Sequence, residues 1–106
     1  MKKIERQILE IFKSSLLKRL SVHEIVLFGS RARGDADPYS DMDVVVILNN
    51  VSDGQDLNYV SDCAWEAGFE HGIVVVPIIY SRNAWEKSPE RYSLLAMAIE
   101  KEGVSI

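Results

Sequence analysis

The chain has 106 residues, 12 of them Lys or Arg against 16 Asp or Glu, with 47% hydrophobic and 26% charged side chains and a single cysteine. Such a length suits one domain, residues 1–106, able to bury about 65% of the surface that its unfolded chain would expose, and the composition excludes disordered, collagen-like and coiled-coil chains. No apolar run nears the ~20 residues that span a bilayer, and one unpaired Cys63 supports neither a disulfide framework nor a zinc site, so a reducing cytoplasm is the expected setting and no membrane partner is expected.

In chain order, Ile4, Ile8, Ile11, Phe12, Leu16 and Leu20 recur at helical spacing, which predicts an amphipathic helix from about Lys2 to Leu20. The charges mixed into its first residues, Lys2, Lys3, Glu5 and Arg6, read against a signal peptide. A short strand is predicted over Glu24 to Phe28, stopping at Gly29, and a polar stretch rich in Gly, Asp and Pro runs on to Ser40. Met42 to Leu48 is continuous and rich in Val and Ile, the pattern of a central strand covered on both faces. Leu57, Val60, Ala64 and Ala67 predict a second helix ending near Gly68. Ile73 to Tyr80 reads as a third strand, which Pro77 confines to a sheet edge or a bulge because it has no N–H to donate. Ser88-Pro89 reads as a helix start, Tyr92, Leu95, Ala96 and Ile99 as the buried face of a last helix, and Gly103 as its end. The expected fold is a small α/β domain in the order α-β-β-α-β-α, its first two strands antiparallel or joined by a tight excursion.

The unusual residues lie in that excursion. In Phe28-Gly29-Ser30-Arg31-Ala32-Arg33-Gly34 an apolar strand turns into a segment able to start a helix. Gly29 lets another group approach the backbone, Ser30 offers a hydroxyl, and the N–H groups of Arg31 and Ala32 would stand at a helix start, where anions bind. Asp41 and Asp43 are two residues apart at a strand start and share a face. Side by side they repel, and a divalent cation relieves them; magnesium favours a few carboxylates together with the phosphates of a substrate. The plainer alternatives are an ordinary turn and two solvated surface acids. The two halves nevertheless lie on strands that must neighbour each other, a meeting place suited to a nucleoside triphosphate, magnesium and a two-metal mechanism.

Gly29-Ser30-Arg31-Ala32-Arg33-Gly34 with Ser40-Asp41-Met42-Asp43 and the apolar strand that follows resembles the minimal nucleotidyltransferases, the MNT proteins of the DNA polymerase β-like superfamily, often the antitoxin partners of HEPN-domain toxins. The resemblance covers nearly the whole chain in element order and length. It implies a small mixed sheet flanked by helices, the polymerase β palm-like fold. It further implies Gly29 and Ser30 on nucleotide phosphates, Asp41 and Asp43 as metal ligands and catalytic residues, and transfer of AMP from ATP to a hydroxyl, in several members a Tyr of the HEPN toxin. Arg31 and Ser40 complete the expected nucleotide contacts. The superfamily normally adds a third carboxylate from the next core strand, and Ile73 to Tyr80 has none; Glu70 and Glu86 are the nearest acids.

Charge agrees with a local site. Residues 1–33 carry a net +5 and residues 34–106 a net −9, without the domain-wide basic surplus of a nucleic-acid binder. A P-loop lacks its Lys, and a dinucleotide fingerprint lacks its middle glycine. Arg33 is expected to pair with Asp35, Asp37 or a partner, and Gly34 to stop a helix with positive φ. His23 and His71 read as surface residues, Cys63 as core, Trp65, Trp85, Tyr59 and Tyr92 as core or interface anchors, and Tyr39 as the aromatic best placed to touch a ligand. A reading from another class stays open: a partner-binding module that has lost catalysis and neutralises its partner by contact alone.

Overall fold

In a computed structural model, which describes residues 1–34, 37–50, 53–87 and 94–106, a four-stranded mixed sheet carries helices on both faces. The elements are α1 (Lys3–Leu17), β1 (Val22–Phe28), α2 (Ser30–Arg33), β2 (Met42–Leu48), α3 (Gly54–Phe69), β3 (Val75–Ser81), α4 (Arg82–Lys87), α5 (Leu94–Glu102) and β4 (Val104–Ser105). The expected order holds for the larger elements. The short α2, the six-residue α4 and the two-residue β4 add to it; α4 and β4 are too short to show a periodic pattern.

The strands lie in the order β3-β2-β1-β4. β1 and β2 are antiparallel, with Phe28 opposite Asp43 and Val26 opposite Val45. β3 runs parallel to β2, with Val76 beside Asp43 and Pro77 beside Val44. It forms the edge of the sheet, where a residue without an N–H costs least. β4 closes the other side antiparallel to β1.

Alternation along β2 divides the interior into two layers. Met42, Val44, Val46 and Leu48 pack with Ile8, Leu9, Phe12 and Leu16 of α1 and with Val60, Cys63, Ala64 and Ala67 of α3. Val45 and Ile47 face the other way, onto Val26, Trp85, Ala96 and Ile99. Both faces of the central strand are therefore sealed, which is why it reads as an unbroken apolar run. Two expected core positions differ. Ile11 is 48% exposed and Leu9 is buried instead, on the other side of the Ile8, Phe12 and Leu16 line, and Leu57 is 42% exposed near the start of α3. Trp85 is core and Trp65 is on the surface, 60% exposed beside Phe69. Helix α5 ends before Gly103, whose N–H bonds Ile99 O, while the helix start expected at Ser88-Pro89 and the packing of Tyr92 lie outside the described residues, and nothing is described of the Leu95 side chain.

Candidate active site

β1 delivers the chain into the glycine bend. Gly29 holds φ 77° and ψ −156°, a conformation that only glycine adopts cheaply, and its carbonyl accepts the Arg33 N–H to open α2. Gly34 ends that helical turn at φ 82°, as its position predicts.

The bend is packed against the second half of the motif. A Cβ on Gly29 would lie 2.9 Å from Asp43 Oδ2, closer than side-chain carbons normally approach an oxygen. The missing side chain is what lets the bend sit over the carboxylate. Asp43 is half-buried in β2, Asp41 is exposed just before the strand, and fully buried Met42 points to the opposite layer between them. The Met42 N–H bonds Val74 O at 2.9 Å, which fixes the start of the strand. Burial raises the Asp43 carboxyl above its ordinary range, and the negative charge of Asp41 raises it further. A half-buried acid whose ionised form is disfavoured by burial and by a neighbouring carboxylate, beside a glycine bend, suits a divalent cation together with substrate phosphates.

Arg31 departs from expectation. Its guanidinium, expected on a nucleotide phosphate, is buried at 3% exposure and turned into the protein. Nη1 pairs with Glu5 Oε2 at 3.1 Å, Nε donates to Ser40 O at 2.9 Å and Nη2 donates to Pro38 O at 2.8 Å. Glu5, itself 1% exposed, uses Oε1 to accept the Lys2 backbone N–H at 2.8 Å, which caps α1. Both ions are thus paired and hydrogen-bonded, the condition under which buried charge is tolerated. Glu5 escaped the sequence reading because its partner lies 26 residues away. Its only local signal is a Glu three positions after the N-cap residue Lys2, the capping-box position.

Ser30 and Ser40 are half-buried, and Ser40 is tied by its N–H to Asp37 O and by its carbonyl to Arg31. Arg33, exposed, pairs with Glu102 of α5 at 3.3 Å. Tyr39 is 82% exposed on the turn between the motif halves. Among the described residues no three His, Cys, Asp or Glu side chains gather as metal ligands. Glu86 is bound to Arg82 at 3.1 Å and Glu70 stands at the C-cap of α3, and neither forms a group of three possible metal ligands with Asp41 and Asp43. Among the described residues no helix is long and apolar enough to cross a membrane.

A mixed sheet with a glycine bend lodged on an acid of the neighbouring strand is the framework of a nucleotidyl-transferring enzyme. The Nucleotidyltransferase domain family matches residues 5–106, and the chain belongs to that family. It is 32% identical over 83 residues to "Putative protein adenylyltransferase MJ0141" of Methanocaldococcus jannaschii, a match that covers 73% of this chain and 83% of that protein. It is also 32% identical over 66 residues to "Putative protein adenylyltransferase MJ0604" of the same organism, covering 62% of this chain and 61% of the relative. Among solved structures, a toxin-antitoxin crystal structure with AMP-PNP shares the fold, with a TM-score of 0.64 at 17% identity over 95% of this chain and 70% of the other. The expected nucleotidyltransferase fold and enzyme class therefore hold, and the resemblance to the minimal nucleotidyltransferases is consistent with these relatives.

Proposed function

We propose that the protein transfers AMP from ATP to a hydroxyl on a partner protein, a Tyr of a HEPN-type toxin being the acceptor the family resemblance suggests, and so acts as an antitoxin in the cytoplasm. One observation carries this reading: Gly29 packs directly on Asp43, with Asp41 alongside. The names of the two archaeal relatives supply the adenylyl group and the protein acceptor. In this reading Gly29, Ser30, the backbone of Arg31 and Ser40 would contact the triphosphate.

In the reaction the acceptor oxygen attacks the α-phosphorus, a new P–O bond forms, the bond from that phosphorus to the bridging oxygen breaks, and pyrophosphate leaves while the hydroxyl proton passes to solvent. Asp41 and Asp43 would hold magnesium, whose charge, when bound, offsets that of the phosphates and leaving group. The glycine bend keeps bulk away from the Asp43 carboxylate, and the shared face of the two acids directs them to the same space. Two carboxylates with substrate phosphates meet magnesium's preference, so the site fits the ion with the substrate's help.

The lack of a third acid among the described residues favours a second reading, a module that binds its toxin without catalysis. Incubating the protein with labelled ATP, magnesium and the protein encoded next to it separates the two. Label on that partner, lost in Asp43→Ala, supports transfer; a stable complex without label, unchanged by that substitution, supports the module.

A further inference from the structure

We propose that Arg31 is the positioning residue of this site: its guanidinium, held by Glu5, sets where Asp41 stands relative to the glycine bend. The inference deepens the reading above and rests on it. Arg31 belongs to α2, the turn that begins at the bend, so it moves with the half of the motif assigned to the triphosphate. Its Nη2 and Nε reach across to Pro38 O at 2.8 Å and Ser40 O at 2.9 Å, the carbonyls on either side of Tyr39. Asp41 follows Ser40 directly. Beyond Asp41 the chain is fixed again at Met42, whose N–H bonds Val74 O.

The planar guanidinium, with donors in a fixed fork, holds two carbonyls and a carboxylate at set angles; a lysine ammonium, although it has three donors, has no such fixed geometry. The remaining cost is electrostatic. A guanidinium at 3% exposure needs a counter-charge, and Glu5 supplies it at 3.1 Å while its other oxygen is anchored on the Lys2 N–H. The N-terminus of α1, the bend and the acid-bearing loop are thereby braced through a single side chain. Tyr39 N–H donates to Asp37 Oδ1 at 3.0 Å, a further restraint on the same loop. A cation shared between Asp41 and the phosphates of a nucleotide at the bend would depend on the distance that this brace maintains.

The test compares ATP affinity in EDTA with ATP affinity in magnesium, well below the melting temperature, for wild type, Arg31→Lys and the double variant Glu5→Leu/Arg31→Met. In the wild type magnesium tightens ATP binding. Arg31→Lys loses about 10–100-fold of that tightening, the scale on which groups that orient metal ligands act, with affinity in EDTA unchanged. The apolar pair gives up the hydrogen bonds to Lys2 N–H, Pro38 O and Ser40 O but leaves no orphaned charge, and where it folds it should lose the same tightening. Should the double variant fail to fold, Arg31→Lys alone decides. Full magnesium-dependent tightening in a folded variant overturns the inference, whatever its melting temperature. An equal loss in EDTA and in magnesium overturns it as well, placing Arg31 on the nucleotide itself. If the wild type shows no tightening by magnesium, the underlying transferase reading fails and the inference falls with it, a result unlike either of the others.

Discussion

The two faces of the sheet are built for different purposes. On one, α1 and α3 lay Ile8, Leu9, Phe12, Leu16, Val60 and Ala64 over Met42, Val44, Val46 and Leu48, and the central strand is sealed to its first residue. On the other, Trp85, Ala96 and Ile99 cover Val26, Val45 and Ile47, while the strand's leading end is left to half-buried Asp43 and exposed Asp41. One strand thus serves as scaffold through its even-numbered residues, while Asp43 and, just before the strand, Asp41 carry the chemistry proposed above. A substitution on the first face should therefore appear in stability, and one at the leading end of the second in chemistry.

Phe12→Ala tests the first half of that contrast. The ring is fully buried, and its loss should lower unfolding free energy by about 3–5 kcal/mol, read by urea denaturation. Adenylyl transfer per folded molecule should stay at the wild-type level. A large fall in specific activity with little loss of stability would break the division.

Asp43→Asn should do the opposite. On the proposed metal-holding role of Asp43, removing its charge should lower transfer by about a hundredfold or more, measured by label incorporation at saturating ATP. Stability at neutral pH does not fall, because burial and Asp41 both work against ionised Asp43. Gly29→Ala lies between these extremes. It forces an alanine to φ 77° and places its methyl group on Asp43 Oδ2, so it should cost about 1–3 kcal/mol and reduce transfer as well. If it proves harmless to both, the bend does not need its close approach to the acid.

How much of this contrast could be seen beforehand follows from the range of the forces. The bounds of β2 were legible because a central strand needs apolar residues on both faces, and Pro77 marked an edge because it cannot donate to a neighbour. Gly29, Asp41 and Asp43 could be paired because antiparallel neighbours bring a strand's end to the next one's start. The part played by Arg31 was not legible. Gly-Ser-Arg looks the same whether the guanidinium faces a phosphate or a buried Glu, and the choice depends on packing between α1 and the motif loop. Ile11 and Leu9 differ from expectation for a similar reason: they flank the Ile8, Phe12 and Leu16 line on opposite sides, and only the docking angle of α1 decides which flank is covered.

The smallest effect concerns the charge shared by the two acids. Asp43's folded pKa lies above its unfolded value, so its protonation favours the folded state. The stabilising contribution is fully present below the ordinary Asp range, about 3.9, and is lost as pH rises through the raised folded value. Replacing Asp41 by Asn removes the second of the two causes and leaves burial, the larger one, in place. The midpoint of Asp43, followed by carboxyl carbon NMR in metal-free protein, should therefore move down without reaching the ordinary value, and neutral-pH stability should rise by less than about 1 kcal/mol because the group is partly solvated. A midpoint that stays where it was would mean that the two carboxylates do not feel each other, and the acids would not be the shared electrostatic unit that the chemical face of the sheet requires.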